Sequence, residues 1–204
     1  MEDMKKEERA SFFTRGCAYC VDFLVIYFFI SLISLMIPTS QRYDELINER
    51  DELIASLEVN GSISVDNYVK EMSEINYDIS KELIAINAVN VALTFVYYGV
   101  CAYLTGGRTV GKYVMHIRVK SQNGELTWKQ MLLRPLLINS VLANFIVLIL
   151  LFLMKSNKYA LASEIIAIID MLFVVISGFM ILYSKKRLGL HDKILGTEVI
   201  KEEK

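Results

Sequence analysis

Two carboxylates lie where a carboxylate is expensive. Asp22 falls inside the apolar run 16–37, and Asp170 inside the apolar run 160–183. A charge facing hydrocarbon costs on the order of 3 kcal/mol or more, so such acids face protein and either find a partner or carry an ion or proton. Arg15 precedes Asp22 by seven positions, which on a helix is nearly the same face, about 10 Å further along. Arg15 at the membrane surface would then lower the proton affinity of an acid just below it, with Asp192, beside His191, gating from the cytoplasm. The competing reading is architectural. Arg15, or Arg134, holds both carboxylates in a buried network that staples the tail to the first span, and such pairs specify arrangement even when they add little stability. Asp170 has no basic residue in its own span. At about 1.5 Å per residue it lies near the bilayer midplane, which favours protonation or a bound cation. The alternative for Asp170 is hydrogen bonding across helices to Asn87, Asn90, Asn139 or Asn144.

The elements that must position these residues follow from hydropathy. A span needs about 20 mostly apolar residues, and four stretches qualify or nearly do: 16–37, 83–104, 136–154 and 160–183. Hydrophobic residues make up 54% and charged ones 22%, and the two kinds are segregated along the chain, which a soluble core does not require. Residues 1–15 are a charged lead-in. Residues 38–82 form an acidic insertion in which two apolar stripes at helical spacing flank the turn Asn60-Gly61-Ser62, the pattern of a helical hairpin. Ser40 is placed to cap its first helix. The surplus of acids there reads as a solvated face.

Residues 105–135 are basic, with Arg108, Lys112, Arg118, Lys120, Lys129 and Arg134 against Glu125. Short basic loops stay in the cytoplasm, so both termini are cytoplasmic and the hairpin is extracellular. Alternation over Val114 to Val119, followed by Asn123-Gly124, predicts a β-ribbon, to which Thr197–Ile200 could add a strand. Thr127 to Gln130 fits a capping box that starts an interfacial helix, and Arg134-Pro135 predicts a kink on entry to the third span. Arg108, Lys112, Lys185, Lys186 and Arg187 are candidates for lipid headgroup contact. The fold expected is an all-α integral membrane protein: a four-helix transmembrane bundle with an extracellular helical hairpin and a small cytoplasmic β-ribbon. It would sit in the cell (inner) membrane, with the lipid bilayer as its first partner. A homo-oligomer is a further expectation, since four helices enclose little pathway.

Several chemistries drop out. Gly106 to Lys112 satisfies G-x-x-x-x-G-K, but Tyr113 stands where a phosphate-cradling loop needs Ser or Thr, and a membrane span rather than a strand precedes it. Cys17-x-x-Cys20 with Cys101 and a histidine could ligate zinc, but it lies at the hydrocarbon edge without a second cysteine pair, so packing is the simpler role. Three cysteines on the cytoplasmic side stay reduced. No cleavable signal peptide is expected, because the lead-in carries both signs of charge. A net charge of −1 with no basic tract gives no reason to expect nucleic acid. No nucleophile–base pair stands out, so no enzyme and no cofactor are expected.

The residues reached so far resemble the RDD family of membrane proteins. Arg15, Ala18 and Asp22 match its first-span pattern. Gly106-Gly107-Arg108-Thr109-Val110-Gly111-Lys112, Arg118-Val119, Asn123-Gly124 and Arg134 match its Gly-rich basic segment. His191-Asp192-Lys193 and Gly196-Thr197 match its closing Asp before Gly-Thr. The acidic hairpin is longer than the connection typical of that family. The resemblance implies a multi-pass inner-membrane protein, with transport commonly proposed. Two functions are therefore expected as alternatives: a small transporter or cation/proton exchanger using Asp22 and Asp170, or an accessory or immunity-type protein docking a partner through its hairpin.

Overall fold

Ser11 starts the first helix ahead of the apolar run by accepting a hydrogen bond from the Thr14 amide, and α1 spans Phe12–Ser34. A computed structural model describes residues 8–60 and 64–202; the turn at Gly61-Ser62 and residues 1–7 of the lead-in lie outside them. Ser40 caps the next helix as expected, accepting from the Tyr43 amide at 3.1 Å. The acidic insertion is a hairpin of α2 (Gln41–Asn60) and α3 (Val65–Glu82). Leu46 and Leu53 are buried, on the stripe where α2 meets α3.

Only Leu83 interrupts the passage from α3 into α4 (Ile84–Leu104). Inside α4, Val96–Cys101 forms a π-helical turn, whose wider winding lets neighbouring side chains share a face. Thr105 to Gly107 ends the helix, with Gly106 and Gly107 both left-handed at φ 68° and 88°. A Cβ on Gly107 would stand 2.2 Å from the Val119 carbonyl oxygen, so the chain passes too close there for any other residue.

A short helix, α5 (Val110–Val114), then leads to β1 (Ile117–Ser121). The ribbon forms, but not as a local hairpin. Asn123-Gly124 folds back only as far as a single bridge between Ser121 and Gly124. The partner of β1 is β2 (Thr197–Lys201), antiparallel, with Val119 opposite Val199. On the other edge of β2, the Ala10 amide donates to the Val199 carbonyl at 2.9 Å and the Lys201 amide to the Glu8 carbonyl at 2.8 Å. Both ends of the chain thus meet on one sheet, whose inner face joins Ile117, Val119 and Val199 to Met131 and Ala18 in the buried core.

Thr127 and Gln130 form the expected capping box at the start of α6 (Trp128–Ile138). The kink expected at Arg134-Pro135 lies further on. Pro135 remains inside α6, and the Asn139 amide still closes a turn on the Pro135 carbonyl at 3.1 Å. The chain turns where Ser140 adopts φ 57°, so α7 (Val141–Leu153) leaves α6 at 66°. The stretch expected as one helix from 136 to 154 is therefore two helices meeting at an angle. α8 (Ser156–Tyr183) begins before the apolar run does, and α9 (Leu190–Leu195) carries the tail back to β2.

Three helices, α1, α4 and α8, are long and apolar enough to cross a bilayer, and the α6–α7 pair brings the number to four if each bent pair is one span. Only 11% of the most apolar stretch of each single helix is buried; the remaining apolar surface suits lipid contact. At one end of the bundle lie the termini and the sheet, at the other the hairpin. Tyr77 fastens the hairpin down, its hydroxyl donating to the Met154 carbonyl at 2.9 Å while its ring meets Tyr159 edge-on.

Candidate functional site

Asp22 faces protein, at 1% exposure, and its partners are neutral donors. The Gly111 amide donates to it at 2.7 Å and the Tyr97 hydroxyl at 2.6 Å, both to Oδ1, while the Thr109 hydroxyl donates to Oδ2 at 2.5 Å. The geometry follows from local structure. The wide turn in α4 sets adjacent tyrosines against α1, Tyr97 bonding Asp22 and Tyr98 stacking on Tyr19. Thr109 caps α5 and presents its hydroxyl to the acid. Gly111 lets α5 touch α1: a Cβ there would stand 2.0 Å from the Ala18 carbonyl oxygen. Three donors thus share the two oxygens of one buried carboxylate, and none of them is a cation. The sequence pairing of Arg15 with Asp22 is not found.

Arg15 reaches Asp192 instead, Nη1 donating to Oδ2 at 2.6 Å, and Nη2 donates to the Arg187 carbonyl at 2.8 Å. Arg134 takes the other oxygen at 2.7 Å, and the same nitrogen donates to Thr197 Oγ1 at 2.6 Å. Thr197 then passes its own proton toward Asp192 Oδ1 at 3.2 Å, and the Gly189 amide at the start of α9 completes the ring at 3.2 Å. Asp192 is fully buried. Burial alone would raise its carboxyl, but the Arg134 and Arg15 guanidinium groups hold it well below the usual carboxylate range.

His191 is fixed by the same cluster. Arg134 Nη2 lies 3.0 Å from its Nε2, and a guanidinium can only donate, so Nε2 accepts and the ring proton sits on Nδ1. That proton goes to Ser177 Oγ at 2.6 Å. Burial and the adjacent Arg134 push the imidazole below its ordinary value, which keeps it neutral. Gly189 is required here, since a Cβ would meet Ser177 Oγ at 2.7 Å.

Beside both clusters lies a cavity of about 500 Å³, walled by α1 and α8 and reaching Arg15, Asp22, Lys112, Arg134 and Asp170. Its size is within the range of small-molecule sites, about 300–1,000 Å³. Asp170, the fifteenth of the 28 residues of α8, accepts from the Ser140 hydroxyl at 2.6 Å. Among the described residues it forms no ion pair. Among the described residues the alternative, a hydrogen bond from Asn87, Asn90, Asn139 or Asn144, is not found: Asn139 lines the same cavity, while the other three line a second one. Lys112 is half-buried and lines the first cavity, and burial together with Arg134 brings its amine down to about 8. Of the other cations assigned to headgroups, Arg108 pairs with Glu202 at 3.0 Å and Arg187 with Glu8 at 3.3 Å, leaving Lys185 and Lys186 exposed. Cys17, Cys20 and Cys101 are exposed free thiols.

The hydroxyls were the residues that sequence reasoning missed as partners: Tyr97, Thr109, Ser140, Ser177 and Thr197. Thr109 and Thr197 lie within the quoted glycine segments, and their place next to a helix start or after Gly196 was the available signal. Ser140 and Ser177 carry none, being single small polar residues in apolar runs.

The model of the RDD family matches residues 9–196, nearly the whole chain, and the chain belongs to the RDD family. No curated protein matches it. No solved structure matches it either.

Proposed function

We propose that this RDD-family chain moves a proton or small monovalent cation across the membrane through the cavity between α1 and α8, with Asp170 as the carrier. One observation carries the reading. Asp170 is a carboxylate at the middle of an apolar helix of spanning length, open to a cavity, with a lone hydroxyl donor and no cationic partner among the described residues. An acid in that position is costly when ionised and unpaired, so binding a proton or cation relieves it. Asp22 has a different task on this reading. Its three hydrogen bonds fix α5 and α4 to α1. Arg15, Arg134 and Asp192 close the end of the bundle that carries both termini.

The test is flux into proteoliposomes. Asp170→Asn should abolish proton-coupled or monovalent cation movement, whereas Asp170→Glu should retain part of it. Wild-type flux in Asp170→Asn would end the proposal. The second reading, a partner docked on the hairpin, is favoured by the exposed apolar pair Val65 (76%) and Val69 (55%) at the start of α3. Loss of a co-purifying protein in a Val65→Ser, Val69→Ser variant with flux unchanged would support that reading instead.

A further inference from the structure

The bend at Ser140 divides two cavities. The one already described ends at Asn139, Ser140 and Asp170. A second, of about 310 Å³, starts at the next residue, Val141, and extends along α7 to Leu151 and Tyr159 on the hairpin side. Its lining is polar although it lies among apolar spans. Asn87, Asn90 and Thr94 project from one face of α4, at helical spacing, and Asn144 faces them from α7. Asn90 Oδ1 is buried and receives no hydrogen bond from any described residue.

A buried carbonyl oxygen left without a donor keeps its full desolvation penalty. Within a bilayer no lipid can supply that donor. A polar cavity of this size admits several waters, each taking about 30 Å³ of liquid volume. The amide and hydroxyl groups around it then serve as water ligands, and Asn90 is met.

We infer that the second cavity is a water-filled chamber open to the hairpin side, and that the Ser140–Asp170 hydrogen bond is the partition between it and the first cavity. This rests on the reading of Asp170 as the carrier and gives that residue its two-sided access. A proton delivered by water from the chamber passes to Asp170 when the Ser140 bond opens, and leaves from the same carboxyl to water in the first cavity. No other bond is made or broken. Ser140 is a positioning residue. Its left-handed backbone, unfavourable for a non-glycine residue, holds the hydroxyl at the point where α6 and α7 diverge.

The experiment is thiol accessibility from each side of reconstituted vesicles. Cys17, Cys20 and Cys101 are replaced by serine, and single cysteines are introduced in place of Asn139, Asn144, Thr94 and Glu74. Glu74, exposed on the hairpin, reports which side is which. A membrane-impermeant thiosulfonate should label Asn144→Cys and Thr94→Cys only from the hairpin side. It should label Asn139→Cys, five positions before Asn144, only from the side of the termini. If Asn144→Cys and Thr94→Cys both stay unreactive while Glu74→Cys reacts, the chamber is dry and the inference fails. If Asn139→Cys and Asn144→Cys label from the same side, there is no partition and it fails equally. Labelling is read without flux. Sided labelling with undiminished flux in Asp170→Asn would therefore overturn the carrier and leave the partition standing. Ser140→Ala should keep the labelling positions folded while shifting the pH midpoint of flux, and Ser140→Thr should restore it.

Discussion

Arg15 is bonded to Asp192, 177 residues away along the chain, and not to Asp22 on its own helix. With Arg134 on the opposite oxygen at 2.7 Å, one tail carboxylate joins α1, α6 and α9. The two clusters that a sequence reader merges into one are separate devices: neutral donors hold Asp22, and guanidinium groups hold Asp192.

Asp192→Asn should be severely destabilising. It leaves two largely buried guanidinium groups facing a neutral amide, and removing one partner of a buried pair costs about 3–5 kcal/mol. Thermal unfolding in detergent should show a large drop in midpoint, partly recovered when Arg15→Met is added. An unaltered midpoint would mean that the tail is held elsewhere.

Gly111→Ala should detach α5 from α1. The new Cβ would stand 2.0 Å from the Ala18 carbonyl oxygen, a backbone atom that cannot turn aside. Asp22 then loses the Gly111 amide and the Thr109 hydroxyl, at about 1–3 kcal/mol for each buried group left unpaired. Gly16→Ala, which meets nothing within 4 Å, should behave like wild type in the same measurement of folded yield and melting.

Lys112 predicts an alkaline limb. Its amine falls from 10.5 to about 8 in the folded protein through burial and Arg134. Between those values the unfolded chain binds more protons, so stability rises with pH across that window, and the cost of burying the charge is fully present below it. Lys112→Met should remove the slope, as read from unfolding midpoints between pH 8 and 10.5.

Asp192 predicts acid resistance. Because its carboxyl is held well below 3.8, the stability it contributes is present above that value and is lost only as pH falls through the lower folded one. The docking of the tail, followed by protection of the β2 amides from hydrogen exchange, should persist to pH values where ordinary carboxylates are already protonated. In Asp192→Asn that protection should be weak and independent of acid.

Much of this was readable in the sequence. Apolar runs marked the candidate spans, Ser40 and Thr127 the caps, and the burial of Asp22 followed from the cost of a charge in lipid. Two things were not readable. The alternation at Thr197–Ile200 did offer the tail as a strand, and it pairs with 117–121. What was not readable is that this is the whole ribbon, the local hairpin at Asn123-Gly124 stopping at one bridge because Val119 opposite Val199 closes a core that Met131 and Ala18 also enter. Nor does a neutral partner announce itself: Tyr97 and Ser140 reach their acids through a π turn and a left-handed residue, backbone departures that no side-chain pattern encodes. Pro135, which should bend the chain, packs instead beside Gly99 and stays helical.

The sheet beside the termini has a further implication for biogenesis. Chains are made from the N-terminus onward, so Arg15 and Arg134 emerge long before Asp192 exists to bond them. Until then each guanidinium acts as a free anchor that keeps its helix end out of the lipid. The arrival of α9 and β2 gives both guanidinium groups one shared carboxylate at one stroke.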